Sequence, residues 1–343
     1  MAVIQLGEMR LTGGAPLAEV EIAYETYGEM APGRDNVILV AHGTTSSHQA
    51  AGPVTPDRRK GWWDAVIGPG KLFDTNRFCV VSSNVLGSCY GSTGPASTNP
   101  ATGRPYGRDF PEISLRDIVE AQYRMLRVLG IERLVAVAGS SIGGFQALQW
   151  AVTYPNFMRG VVALDTATRA LGDGAASIAA VIDDLAKQPA WNGGDYYAGG
   201  GMEDALTAIR IATLESYGIE AHIADCPGNT SGERTLTQTA RAWAREFDAN
   251  SLILLNRAIA GFNVEDRLDQ IRAPLLYVMA DTDEWFPARI GREVIRRLRR
   301  YGIDATYHEI TSPHGHYATT IESEKWVCVA KKFLSRIADG ANG

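Results

Sequence analysis

Short apolar runs recur along the chain, and each is closed by small or polar residues. Val37–Ala41 leads into His42 and Gly43, 78–81 is a second run, and 134–138 ends at Gly139. The run 160–164 ends at Asp165, 275–279 is followed by Asp281, and Ala305–Ile310 is a sixth, more polar run. Runs of this length without polar alternation suit strands covered on both faces, as in a parallel sheet. Between them lie helical patterns. Over 114–130 the apolar positions Leu115, Ile118, Val119, Met125, Leu126 and Leu129 form one helical stripe. Ser114 with Asp117 three residues on reads as a capping box, and Gly130 suits the position just past the helix end. Helices are also predicted over 142–153 and 290–298. Strand–helix alternation of this kind predicts an α/β fold with a mostly parallel, doubly wound sheet.

The stretch 168–257 breaks the alternation. It holds a Gly-rich segment at 191–201, flanked by helical patterns, and shows no buried strand. Strand patterning resumes after it. The prediction is one core domain formed by 1–167 and 258–343, with 168–257 inserted as a helical lid.

Composition narrows the class. A chain of 343 residues with 45% hydrophobic content can bury one large core. The formal charge of −6 gives no electrostatic reason to seek nucleic acid or an anionic membrane. The basic pairs Arg296-Arg297 and Arg299-Arg300 fall at a predicted helix C-terminus, where cations are favoured. No stretch reads as a signal peptide or a spanning helix. The cysteines, Cys79, Cys89, Cys226 and Cys328, form no C-x-x-C pair, so reduced thiols in a cytoplasmic protein are expected.

The chemistry centres on Gly139-Ser140-Ser141-Ile142-Gly143, a G-x-S-x-G pattern between a predicted strand and a predicted helix. Small flanking residues let the backbone turn sharply, which lifts a serine hydroxyl above the sheet edge. The glycine spacing favours Ser141 over Ser140 as nucleophile. The helix N-terminus offers free N–H groups to a developing oxyanion, with Ile142 the first donor. The loop after the first run should supply the second, from Thr44, with Thr45 lining the same pocket.

A serine of this kind needs a base and an orienting acid, in the chain order Ser, acid, His. Of six histidines (His42, His48, His222, His308, His314 and His316) only the last three follow the late strands. His316 is preferred, because Gly315 lets the loop bend toward Ser141, and His314 is its rival. Asp283 is preferred as the acid over Asp281, which stands nearer the strand, and Asp165 is held in reserve. A metal held by His308, His314 and His316 is not expected, since no further ligand is evident. The mechanism requires no cofactor.

At this point the chain resembles the homoserine O-acetyltransferases, a branch of the α/β-hydrolases. The segments GWWDAVIGPG at 61–70, SNVLGSCYGSTGP at 83–95, NPATGRPY at 99–106, Phe110-Pro111 and WNGGDYY at 191–197 carry the likeness. It spans roughly residues 10 to 335 and implies the same triad, Ser141, Asp283 and His316, and a homodimer built through the lid. Two departures bear on function. Family members acting on homoserine follow the catalytic His with an Asp that meets the substrate amino group; here Tyr317 stands there. The family lid helix carries an Arg for the substrate carboxylate and a Tyr seven residues on; the register adopted places Ile209 and Ser216 there. Arg210 is adjacent, but one residue is a rotation of about 100°, so in this register it is expected to face elsewhere; a register one residue later would restore it as a carboxylate ligand.

A zwitterion buried without partners is costly. The pocket, with Thr45, Ile209 and Tyr317, therefore reads as stripped of its amino-acid anchors. The expectation is a serine carboxylesterase acting on small acyl esters such as acetyl esters, with water as acceptor. The alternative is an O-acetyltransferase moving acetyl from acetyl-CoA to homoserine or another alcohol. A third reading, a noncatalytic binding protein, sits poorly with a full triad in order. Trp62, Trp63 and Trp285 are taken as core packing rather than site residues.

Overall fold

The computed structural model describes residues 1–52, 61–219 and 236–339. Its centre is an eight-stranded sheet built from β1 (Ala2–Arg10), β2 (Pro16–Tyr27), β3 (Val37–Ala41), β4 (Cys79–Ser83), β5 (Ala136–Ser140), β6 (Val161–Leu164), β7 (Leu275–Ala280) and β8 (Ala305–Ile310). The spatial order is β1-β2-β4-β3-β5-β6-β7-β8. Strand β2 pairs antiparallel with both neighbours, and every pairing from β4 to β8 is parallel. Each of the six predicted runs is a strand. Strands β3, β4, β6 and β7 are buried at every position, which is why their sequences do not alternate.

Helices cover both faces. Helices α1 (Leu115–Val128), α2 (Ile142–Thr153) and α7 (Ala288–Arg300) pack apolar residues into one core layer, with Leu126, Phe145, Trp150 and Leu298 among the most buried. The other layer is filled by Trp63, Phe73 and the C-terminal helix α9 (Glu324–Asp339), whose Trp326, Phe333 and Leu334 face the sheet. Trp62 and Trp63 thus pack where expected.

Local signals translate directly. Ser114 caps α1: its Oγ accepts from the Asp117 N–H, and the Asp117 carboxylate accepts from the Ser114 N–H at 2.8 Å. Gly130 follows with φ +72°, and the Gly130 and Ile131 N–H groups close the helix end. The arginines at the end of α7 are tied locally, Arg297 to Glu265 at 3.2 Å and Arg299 to the Ala305 carbonyl.

The segment between β6 and β7 is the helical insertion. It holds α3 (Gly174–Ala186), α4 (Glu203–Ser216), α5 (Leu236–Ala244) and α6 (Ala249–Ala260). The expected lid edge at 257 falls inside α6, which runs on to Ala260. Cys226 and His222 lie outside the described residues. The remaining cysteines are unpaired; burial pushes the Cys79 thiol up to about 11 and the Cys89 thiol up to about 12, so neither is a ready thiolate. Among the described residues, no helix is long and apolar enough to cross a membrane.

Candidate active site

Strand β5 ends and α2 begins within one residue, and Ser141 occupies that turn. It has φ 58° and ψ −122°, a strained conformation for a residue with a side chain. The glycines around it are required by close approach. A Cβ on Gly139 would stand 2.3 Å from the Gly143 carbonyl, and one on Gly143 would stand 2.1 Å from the Ala41 oxygen. The turn is held by the Ser141 N–H donating to Leu164 O and by Thr166 Oγ1 donating to Ser141 O at 2.8 Å.

Ser141, His316 and Asp283 meet at this turn. His316 Nε2 lies 2.9 Å from Ser141 Oγ, and His316 Nδ1 lies 2.8 Å from Asp283 Oδ2. A carboxylate at Nδ1 assigns that nitrogen the proton and leaves Nε2 to accept from the serine hydroxyl. The Asp283 side chain is fully buried, and its Oδ1 accepts from the N–H groups of Trp285 and Phe286 at 2.8 and 3.0 Å. These bonds fix the carboxylate so that only Oδ2 is offered to the imidazole.

The rival residues stand elsewhere. Asp281 Oδ1 accepts from the Ser312 N–H, knitting the ends of β7 and β8 together. His314 is buried in the turn before His316, with its N–H on Ser312 Oγ. His308 pairs with the Lys325 carbonyl. Ser140 is the last residue of β5, in register with Leu164. Asp165 is buried behind the site.

A cavity of about 1020 Å³ opens at Ser141. Thr44, Thr45, Ile142 and Ile209 line it, as expected, together with Phe145, Tyr217 and Trp285. The Ile142 and Thr44 N–H groups have no acceptor among the described residues, which leaves both free for an oxyanion. Beneath them His42 is buried, with Nδ1 2.7 Å from Gly43 O and Nε2 accepting from the Val85 N–H. Burial pushes its pKa down to about 4, so the ring is neutral and braces the Thr44 loop.

Three expectations need correction. Arg210 does not face elsewhere: its Nη1 donates to Thr45 Oγ1 at 2.9 Å, and its guanidinium lies over the Trp243 ring at 5.2 Å. Arg210, one residue past the position adopted for the lid arginine, thus touches the cavity wall at Thr45, and Ile209 lines the cavity beside it. The aromatic residue seven positions on is then Tyr217, at the C-cap of α4, while Ser216 is exposed and bonds back to Thr213 O. Tyr217 packs on His316, Tyr317 and Trp285, with ring centroids 5.0, 5.6 and 5.1 Å away. Burial pushes its hydroxyl up to about 12. Tyr317 directly follows His316, and its ring meets Tyr217 edge-on. Trp285 is not core packing: it is half-exposed, lines the cavity, and its Nε1 donates to Ser216 O, tying the lid to the Asp283 loop. The sequence signal for Arg210 and Tyr217 was present in their seven-residue spacing, which puts both on one helical face.

Comparisons with known proteins agree with this architecture. The α/β-hydrolase fold family matches residues 36–319. The homoserine O-acetyltransferase of Carboxydothermus hydrogenoformans is 37% identical, covering 96% of this chain and 94% of its own. That of Symbiobacterium thermophilum is 39% identical, covering 91% and 88%. Among solved structures, esterase E22 superposes with a TM-score of 0.87 at 28% identity, covering 97% of this chain and 99% of its own. Homoserine O-acetyltransferase from Bacillus anthracis does so with a TM-score of 0.84 at 28% identity, covering 97% and 96%. The chain therefore belongs to the homoserine O-acetyltransferase family, within the α/β-hydrolase superfamily and closely related to esterases.

Proposed function

We propose that this chain is an O-acyltransferase that moves a small acyl group, acetyl first, from a thioester such as acetyl-CoA to the hydroxyl of a homoserine-like acid. The observation that carries the reading is Arg210. Its guanidinium reaches the cavity wall at Thr45, its Nε is buried without a partner, and no carboxylate among the described residues pairs with it. A cation so placed suits a substrate carboxylate.

Ser141 Oγ attacks the thioester carbonyl while its proton passes to His316 Nε2, and Asp283 steadies the imidazolium. The oxyanion is met by the Ile142 and Thr44 N–H groups. Collapse expels the thiolate, which takes the proton from His316, and leaves an acyl-serine. The acceptor hydroxyl then attacks, His316 takes its proton, and the second collapse returns it to Ser141 Oγ.

Hydrolysis is the second reading, and Tyr317 favours it. In family members acting on homoserine an Asp at this position meets the amino group; a tyrosine offers no charge there. Water then completes the second half-reaction, and the chain is a carboxylesterase for small acyl esters. The likeness to esterase E22 agrees with this.

The cytoplasmic location expected from the sequence is part of this proposal. A homodimer would use the lid, where α3 exposes Ala175, Ala176, Ala179 and Ala180.

The deciding experiment gives the protein acetyl-CoA with and without L-homoserine, and separately p-nitrophenyl acetate, and follows thiol and nitrophenol release. Homoserine-dependent thiol release is the expected result. Nitrophenol release without homoserine-dependent thiol release would replace transfer by hydrolysis.

A further inference from the structure

The tip of β6 gathers bonds from all three turns that carry Ser141, Asp283 and His316. Thr166 Oγ1 donates to Ser141 O at 2.8 Å. Its neighbour Asp165 is fully buried and holds φ +40°, a conformation that residues with side chains seldom adopt. The Asp165 N–H donates to Val278 O, and its Oδ1 accepts from the Ala280 N–H at 2.9 Å. Ala280 ends β7, and the loop leaving it bonds back through the Asp283 N–H to Ala280 O. Asp165 Oδ2 accepts from Thr319 Oγ1 at 2.5 Å, and Thr319 lies in α8 (Ala318–Ile321), three residues past His316. One carboxylate thus spans the base of the acid's loop and the segment that follows the base.

We propose that Asp165 is a positioning residue that clamps the Asp283 and His316 loops to the strand beside the Ser141 turn, holding the imidazole in line with the serine hydroxyl. This rests on the reading of Ser141 as nucleophile and His316 as base. A strained backbone is kept where surrounding bonds over-determine it, and here those bonds run to the loops that must stay in register. Losing the clamp leaves the Ala280 N–H and the Thr319 hydroxyl buried without an acceptor, which the loops can relieve only by moving.

The clamp also carries charge. Burial raises the Asp165 pKa to about 7; Asp283 adds to the rise, and His316 and the bond from Thr319 oppose it. The ionisable groups around it are Asp283 on the loop after β7, His316 on the loop after β8 and Tyr277 within β7. When Asp165 is ionised it is a second anion beside the imidazole.

The test uses Ser141→Ala, Asp165→Asn, Asp165→Ala and Thr319→Val, assayed for acyl release across pH, with circular dichroism to establish that each is folded. Thr319→Val cuts only the bond toward His316, so it keeps the test open if Asp165→Ala does not fold. The expected result is a kcat roughly tenfold lower for Asp165→Ala and several-fold lower for Thr319→Val, with KM little changed, because misplacing the base slows chemistry rather than binding. Asp165→Asn should retain more activity than Asp165→Ala, since its amide oxygen can still accept from the Ala280 N–H. Folded variants with wild-type kcat, or losses that fall on KM rather than kcat, would overturn the proposal. If Ser141→Ala itself kept full activity, the nucleophile reading would fall instead, so the two failures are distinguishable.

Discussion

Arg210 Nη1 meets Thr45 Oγ1 at 2.9 Å across the boundary between lid and core. Thr45 lines the cavity at Ser141, and Trp243, which underlies the guanidinium, donates its own Nε1–H to Thr45 O at 3.1 Å. The Arg210 guanidinium is therefore held between Trp243 and a residue that lines the cavity.

Arg210→Met should then raise KM for a carboxylate-bearing acceptor. A charge-assisted pair contributes about 1.5–3 kcal/mol, so the loss is on the order of 10- to 100-fold. Cleavage of an uncharged ester such as p-nitrophenyl acetate should change little. Arg210→Lys should rescue only in part, since an ammonium lacks the planar fork. Steady-state kinetics with both substrates checks this; equal losses on both would show that Arg210 only supports the lid.

Asp283→Asn tests the orienting acid. Asp283 Oδ1 is committed to two N–H donors, so an asparagine would keep its oxygen there and turn its NH₂ toward His316 Nδ1. The imidazole would then carry its proton on Nε2 and could not accept from Ser141. The expected loss in kcat is on the order of 10⁴-fold, with the fold retained. Burst kinetics with p-nitrophenyl acetate should show acylation, not deacylation alone, to be slowed.

These residues were legible to different degrees, and for physical reasons. Ser141 declared itself because the strained turn demands Gly139 and Gly143 at fixed spacing, a constraint written locally in the chain. Strands β3 to β7 were legible because burial on both faces leaves an unbroken apolar run, whereas the edge strand β8, buried only at Ala305 and Ile310, left a weaker, more polar one. Strands β1 and β2 were not, since β1 is an edge strand whose burial is patchy, with register shifts near Gly7. Arg210 was missed because the register adopted for the lid helix stood one residue early. Arg210, not Ile209, reaches Thr45, and Tyr217, not Ser216, packs on His316. Asp165 was recognised only as a spare acid, because its bonds to Ala280 and Thr319 span more than a hundred residues of sequence.

Gly143→Ala probes the turn itself. The added Cβ would meet the Ala41 oxygen at 2.1 Å, backbone against backbone, with no flexible side chain to yield. Helix α2 or strand β3 would have to shift, at a cost of about 3 kcal/mol, and activity would fall with the displaced Ser141. Gly199→Ala is the control, because nothing lies within 4 Å of its added Cβ. Thermal melts of the pair should separate clearly; a Gly143→Ala melt matching the control would mean the turn is looser than its contacts imply.

His42 predicts how stability changes with pH. Its folded pKa is lowered from 6.5 to about 4, chiefly by burial, while the unfolded chain keeps the ordinary value. Between those limits the unfolded state binds more protons, so His42 makes stability rise with pH across this window. The contribution is complete above about pH 6.5 and is lost as pH falls toward 4, a change of about 3 kcal/mol. Asp165 acts with the opposite sign, since its raised pKa makes the folded state bind the extra proton below about 7. The two must be separated by comparison with His42→Gln, in which Asp165 is unchanged. Urea unfolding of both proteins at pH 7 and pH 4.5 should show the wild type losing more stability than the variant. Parallel losses would mean that the ring does not stay neutral beneath the Thr44 loop.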